Sequence, residues 1–172
     1  MSAKEQKEKF INWLVQYGIP RERINEPSEG EIDAANENLR DFLRRLIRVP
    51  YPLKTEKGET GVTLEADLVV GEKWLQVKVL LMRNEHVPPK VRADLHRMLL
   101  EANFSLNEVT YSLDADLDVF VETDMPVDTD FDNFAVEYGS VEFGVNYFLG
   151  TIIPALRDLE VRNTYRGPNF YT

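Results

Sequence analysis

The sequence predicts an α+β fold, in which helices pack on an antiparallel sheet built from two hairpins, with one possible extra edge strand. Two pairs of short segments alternate apolar and polar residues, which is the pattern of half-buried strands. Short turn-forming stretches join the members of each pair, and this favours antiparallel hairpins over a parallel sheet. Segments with an apolar residue every three or four positions precede, separate and follow the hairpins, as in amphipathic helices.

The first sixty residues are predicted to be mainly helical. A helix is expected from Lys4 to Tyr17, where Gly18 and the proline after it end the apolar periodicity. A polar connector leads to a second expected helix over residues 31–47. The prolines that follow allow residues 47–54 to form only an irregular edge strand, and residues 54–60 read as a polar loop.

The best local pattern is a hairpin over residues 62–82. With Gly71-Glu72 as a two-residue turn, Leu68 faces Leu75 and Glu65 faces Lys78. In this register apolar side chains share one face and opposite charges meet on the other.

The second half repeats this plan. A helix is expected from Pro88 to about Asn103, followed by a hairpin whose loop is Asp114-Ala115-Asp116. One long helix is expected over residues 130–159, capped by Asp128 or Thr129 and kinked at Pro154, because proline removes a helix hydrogen bond. We interpret the chain, residues 1–172, as one domain: an N-terminal helix (1–17), a helical extension and connector (18–60), a core (61–159) and a tail (160–172).

The charge is distributed unevenly along the chain. The formal net charge is −10, and residues 106–172 hold thirteen acids against three bases. Nucleic acids and anionic lipid surfaces bind through Lys and Arg, so we expect neither a nucleic-acid partner nor a membrane partner. The chain has no cysteine, its N-terminus lacks an apolar signal core, and it has no apolar run of membrane-spanning length. A cytoplasmic protein is therefore expected.

Aspartate-rich stretches are the main candidates for chemistry. The stretch from Asp128 begins like a calcium loop, but Asn133 and Gly139 stand where such a loop needs Gly and Glu, and the stretch from Asp114 fails in the same way. We interpret both as a turn and a helix cap, with a weak divalent site left open. His86 and His96 lack metal-ligand spacing, and no nucleophile elbow or phosphate-binding loop is present. We expect no catalytic residue, no metal ligand and no cofactor.

Apolar residues on the second face of the sheet are the candidate binding site. If alternate residues of the hairpins meet the helices, a partner-binding or dimer-binding set points the other way: Val69, Trp74, Leu80, Met82 and Phe120. Exposed apolar and aromatic surface often marks an interface. The alternative is that the first two helices or the tail cover this face.

The segment Leu99–Phe104, the strand Val109–Asp114 and the strand Asp118–Glu122 resemble the YbjN family and the wider type III secretion chaperone-like (CesT-like) fold. In those families a helix with a Leu-Leu-x-x-Asn-like end leads into a strand closing on Asp, a second strand and a long final helix. The resemblance covers about residues 62–159, and residues 18–50 depart from it. It implies a small, acidic, often dimeric cytoplasmic protein that binds other proteins without turnover.

We therefore expect a non-enzymatic protein-binding module, chaperone-like or a regulatory adaptor, which forms a homodimer. One alternative is a divalent-metal-dependent or small-ligand-binding protein that uses Asp114, Asp116, Asp118 and Asp128. Another is a structural subunit whose partner covers the tail residues 165–171.

Overall fold

Six α-helices and five strands form the described part of the chain. The computed structural model describes residues 2–55 and 58–165, and the side chains of all of these except 51–63 and 162–165. The helices are α1 (Ala3–Tyr17), α2 (Glu29–Ala34), α3 (Glu37–Arg45), α4 (Arg92–Ser105), α5 (Phe131–Tyr147) and α6 (Ile153–Tyr165). The strands are β1 (Leu46–Thr55), β2 (Gly58–Val70), β3 (Trp74–Met82), β4 (Thr110–Leu113) and β5 (Val119–Pro126).

The five strands form one antiparallel sheet in the order β1-β2-β3-β5-β4. The predicted α+β class and both predicted hairpins are confirmed. The proline-containing segment after α3 forms edge strand β1, as expected, and its ladder with β2 shifts register between Pro52 and Lys54.

The N-terminal helix begins and ends where its residues predict. The Ser2 hydroxyl accepts a hydrogen bond from the Glu5 N–H, and the Glu5 carboxylate accepts one from the Ser2 N–H, which completes a capping box. Gly18 ends α1 with a φ of 110°, a left-handed conformation that favours glycine.

The predicted single helix over residues 31–47 is wrong, because the chain forms two helices there. Ala35 is extended, with a ψ of 153°, and the Asn36 side chain accepts a hydrogen bond from the Leu39 N–H to cap a new helix. Ile47 lies in β1. Asn36 thus begins a second helix within a stretch whose apolar periodicity continues across the break and predicts a single helix.

The predicted β2–β3 hairpin has the right faces but the wrong register. The Gly71 N–H donates to the Trp74 carbonyl at 2.8 Å, so the turn residues are Glu72 and Lys73. A Cβ on Gly71 would lie 2.8 Å from that carbonyl oxygen, so this position favours glycine by close approach. Because the turn lies one residue later than predicted, each residue of β3 pairs with a β2 residue two positions along from the predicted one. A shift of two residues leaves each side chain on its predicted face.

The β4–β5 hairpin is displaced in the same way. The Asp114 N–H donates to the Asp118 carbonyl at 3.3 Å, and the loop is residues 115–117 instead of 114–116. Leu117 adopts a φ of 64°, the left-handed residue that three-residue hairpin loops commonly use. The Asp114 carboxylate accepts hydrogen bonds from the N–H groups of Asp116 and Asp118.

The C-terminal helix is longer than predicted and contains one wide turn. Asp130, instead of Asp128 or Thr129, caps α5 by accepting from the Asn133 N–H at 2.8 Å. A π-turn over Phe148–Ile152 joins α5 to α6, which carries Pro154 as its second residue. The chain accommodates the proline next to this π-turn and stays helical to Tyr165. Of the predicted tail, residues 166–172 lie outside the described residues.

One main apolar core lies between the sheet and helices α1, α4, α5 and α6. Its aromatic members include Phe10, Tyr111, Phe134, Tyr138 and Phe148, which are all buried. A second, smaller cluster lies between α2, α3 and the sheet. No helix in the described ranges combines the length and apolarity needed to cross a bilayer.

Candidate protein-binding face

The second face of the sheet carries side chains that are exposed or half-buried over β2, β3 and β5. We call this surface the open face and define it by the residues that register places there: Asp67, Trp74, Gln76, Lys78, Leu80, Phe120, Glu122 and Asp124. The neighbouring residues along each strand point to the main core. The alternation seen in the sequence therefore separates a core face from a face that the described residues leave partly exposed.

Three of the five predicted binding residues lie on the open face. Leu80 and Phe120 are directly paired across β3 and β5 and are half-buried. Trp74 lies at the far end of β3, beside Pro126, and is 53% exposed. Six residues of strand put Trp74 about 20 Å from Leu80. The apolar residues are therefore two separate groups with polar residues between them.

The other two predicted residues do not join this surface. Val69 lies on the same side of the sheet but packs against a cluster of Ile32, Leu43 and Leu46, so the helical extension covers it. This outcome agrees in part with the alternative that the first two helices or the tail cover this face: α2 and α3 cover Val69, whereas α1 packs in the main core and residues 166–172 lie outside the described residues.

Met82 is turned to the core side by a bulge in β3. Leu80 pairs with Phe120, but Met82 pairs with Val119, so Leu81 is an extra residue in the ladder. Val119 is buried, and Met82 packs against the main core. The prediction that Met82 shares a face with Trp74 is therefore wrong.

A row of alternating charges crosses the middle of the sheet. Arg48 pairs with Asp67, Asp67 with Lys78, and Lys78 with Glu122, on four adjacent strands. The Lys78 ammonium is 3.3 Å from the Glu122 carboxylate, and the Arg48 guanidinium is 3.9 Å from that of Asp67. Lys78 Nζ also lies 4.3 Å from the centre of the Phe120 ring, a cation–π contact. We call these four charged residues the charge row.

The Asp67 carboxyl of the charge row has a raised pKa. Partial burial raises the pKa of the Asp67 carboxyl, the nearby Glu65 carboxylate raises it further, and Arg48 opposes both. Its Oδ1 atom is buried and accepts no hydrogen bond. At this position the Arg48 guanidinium faces the Asp67 carboxylate at 3.9 Å without a hydrogen bond to the buried oxygen.

The aspartate-rich loops have structural partners. Asp118 accepts a hydrogen bond from the Asn84 N–H at 2.8 Å, and its other oxygen lies 3.6 Å from the Arg83 guanidinium. Together with the turn at Asp114 and the cap at Asp130, this agrees with the interpretation of both stretches as a turn and a cap. The described residues contain no group of three or more His, Asp or Glu arranged to hold a metal ion.

Edge strand β4 is closed by a side chain. The Asn103 amide accepts from the Tyr111 N–H at 2.7 Å and donates to the Tyr111 carbonyl at 2.8 Å, as a neighbouring strand would. The Tyr111 hydroxyl in turn donates to the Gly144 carbonyl at 2.6 Å. Such capping blocks strand addition at this point of the β4 edge.

The charge row was missed from the sequence because it exists only in the correct register. Its signal was present, since each strand alternates charged with apolar residues, but the predicted turn paired Lys78 with Glu65 instead of Asp67. Arg48 lies in the possible edge strand over residues 47–54, for which the sequence predicts no register, so its pairing with Asp67 does not follow from the sequence.

A scan against protein-family models finds no match. A search of curated proteins also finds no significant match.

Proposed function

We propose that this protein is a non-enzymatic protein-binding module, chaperone-like or a regulatory adaptor, that forms a homodimer through the open face. The observation that carries the proposal is an accessible sheet surface with Trp74 exposed at one end and Leu80 and Phe120 at the other. The charge row lies between them. Aromatic side chains are enriched at protein interfaces, and complementary charges across an interface fix its register.

The order of charges supports a second copy of the chain as one partner. Read from β1 to β5, the charge row runs plus, minus, plus, minus. A two-fold axis through its middle reverses the order, so each charge meets the opposite sign on the other copy. Complementary charge of this kind favours correct orientation and suppresses other arrangements.

The chaperone-like part of the proposal rests on the element order and the resemblance of residues 62–159 to the type III secretion chaperone-like fold. From β2 onward, the order of hairpin, helix, hairpin and long helical segment is consistent with it, and α2, α3 and β1 are additional elements before this part. The structural partners of Asp114, Asp118 and Asp130 support a binding role over a carboxylate-based reaction.

The substitution Trp74→Glu tests the proposal. A charge on an exposed aromatic anchor is expected to weaken self-association about tenfold or more, as at interface hot spots, without unfolding the domain. Sedimentation over a range of protein concentrations measures the dimerisation constant.

The matched control is Phe104→Glu, because Phe104 is 95% exposed on α4 and lies off the open face. Phe104→Glu should leave the constant unchanged. Equal constants for wild type and Trp74→Glu would remove the open face as the interface.

A further inference from the structure

Part of the outer edge of β5 has no strand partner among the described residues. Strand β3 pairs with β5 over Val119–Pro126, whereas β4 pairs only as far as Glu122. The hairpin closes with the Asp114 N–H donating to the Asp118 carbonyl, and ladder hydrogen bonds repeat every second residue. Asp124 therefore directs its backbone N–H and C=O outward, where one more strand could bind.

A cleft of about 420 Å³ lies along this edge and is strongly acidic. Its lining, as far as the described residues form it, includes the carboxylates of Glu108, Glu122, Asp124 and Glu137 and no Lys or Arg. Thr123 is nearly buried there and donates its hydroxyl proton to the Glu137 carboxylate at 2.8 Å. Among the described cations, Lys78 pairs with one of these carboxylates, that of Glu122. The cleft thus combines outward backbone groups with several carboxylates that have no cationic partner in the described part of the chain.

We propose that the β5 edge binds an extended, basic peptide segment of a partner protein by strand addition. Peptide N–H and C=O groups would pair with those of Asp124, and alternate side chains would point to opposite faces. A lysine or arginine that points to the open-face side of the sheet would meet Glu122 and Asp124. A lysine or arginine that points to the α5 side would meet Glu137. The inference rests on the proposed protein-binding function and names the chemistry of the partner.

A second copy of this chain is a poorer occupant of the cleft. Its free strand edge is bordered by the same carboxylates, so like charges would meet when two β5 edges approach. The two surfaces also adjoin, since Glu122 and Asp124 belong both to the cleft and to the open face. A basic peptide on the edge would therefore extend the open face by one strand.

Titration with a short peptide of alternating lysine and threonine tests the inference. Calorimetry on the full chain at low ionic strength should show saturable binding that weakens as salt rises. Three further titrations define the mode of binding. They use a glutamate–threonine peptide, a lysine–threonine peptide N-methylated on its pairing backbone groups, and the double variant Glu122→Gln with Asp124→Asn. The glutamate–threonine peptide and the N-methylated peptide should not bind to the wild-type chain. The double variant should bind the unmodified lysine–threonine peptide about three- to tenfold more weakly than wild type does.

The control double variant removes two exposed charges elsewhere, Glu8→Gln and Asp158→Asn, and should bind as wild type does. The inference is overturned if the lysine–threonine peptide does not saturate, if the N-methylated peptide binds equally well, or if both double variants behave alike. Because Trp74→Glu reports on self-association and not on this titration, loss of the edge site alone is distinguishable from failure of the proposed function.

Discussion

At the scale of single residues, half-burial of charge distinguishes the open face from ordinary sheet surface. Asp67 lies between two cations yet has a raised pKa, so burial and the neighbouring Glu65 outweigh the attraction of Arg48. Glu122 likewise has an oxygen that is buried without a hydrogen bond, although Lys78 is 3.3 Å away. Desolvated charges of this kind gain from a partner that supplies the missing hydrogen bonds.

The raised pKa of Asp67 predicts a pH-dependent stability difference between wild type and Asp67→Asn. A carboxyl whose pKa is raised on folding binds its proton more tightly in the folded state. Its stabilising contribution is complete below the unfolded pKa and is lost as pH rises through the folded pKa. The free energy of unfolding of wild type, relative to Asp67→Asn, should thus increase as pH falls from about 7 to about 4.

Urea unfolding at a series of pH values measures this difference, which should stay below about 1 kcal/mol because solvent screens a half-exposed group. A wild type that instead loses stability relative to Asp67→Asn on acidification would show that Arg48 dominates, with the pKa of Asp67 lowered.

Residue-level prediction from the sequence succeeded where alternation alone decides and failed where the ladder is irregular. Trp74, Leu80 and Phe120 lie on the predicted face because alternation fixes it. Met82 does not, because the bulge at Leu81 adds a residue that no composition signal marks. Val69 has the predicted orientation, but its covering by α2 and α3 depends on tertiary packing.

At the scale of elements, strand faces were predictable and strand registers were not. Both hairpin turns lie one residue later than predicted, which moves each ladder by two residues and preserves the faces. The energetic difference between such neighbouring turns comes from local details, such as the Gly71 contact with the Trp74 carbonyl and the left-handed Leu117. The break before α3 depends on Asn36, whose side chain caps that helix. Asparagine occurs at helix N-caps and in loops alike, so its presence alone does not predict the break.

Packing of α5 on the sheet predicts opposite effects for two glycine-to-alanine substitutions in the last helical segment. A Cβ on Gly144 would lie 2.6 Å from a methyl of Val121, so Gly144→Ala should destabilise by about 1–3 kcal/mol. A Cβ on Gly150 meets nothing within 4 Å, so Gly150→Ala should stabilise by about 0.5–1 kcal/mol through helix propensity.

Thermal or urea unfolding of the two variants checks the prediction, and each serves as the control for the other. Equal effects would mean that α5 does not approach the β4–β5 hairpin as closely as these contacts indicate.

At the scale of the whole molecule, the distribution of charge connects the two proposed binding surfaces. The run from Met98 to Leu156 contains twelve acids and no Lys or Arg, and it includes β5 and the cleft beside it. Among the described side chains, the two bases of the charge row, Arg48 and Lys78, come from the first half of the chain. From this asymmetry the sequence argues against nucleic-acid and membrane partners, but the fold is what brings the four cleft carboxylates to one strand edge.

Self-association through the open face is the central claim, and exchange of one charge pair tests it most directly. The double substitution Lys78→Glu with Glu122→Lys keeps an opposite-charge pair between β3 and β5. The charge row then runs plus, minus, minus, plus. A two-fold axis leaves this order unchanged, so each charge would face a charge of the same sign on the second copy.

The measurement is the molar mass of wild type and this double variant by size-exclusion chromatography with light scattering. The proposal predicts about twice the 19.9 kDa chain mass for wild type and a shift toward the single-chain mass for the double variant. Circular dichroism should show that wild type and the double variant are both folded. A wild type that elutes at the mass of one chain, or a double variant as dimeric as wild type, would contradict it.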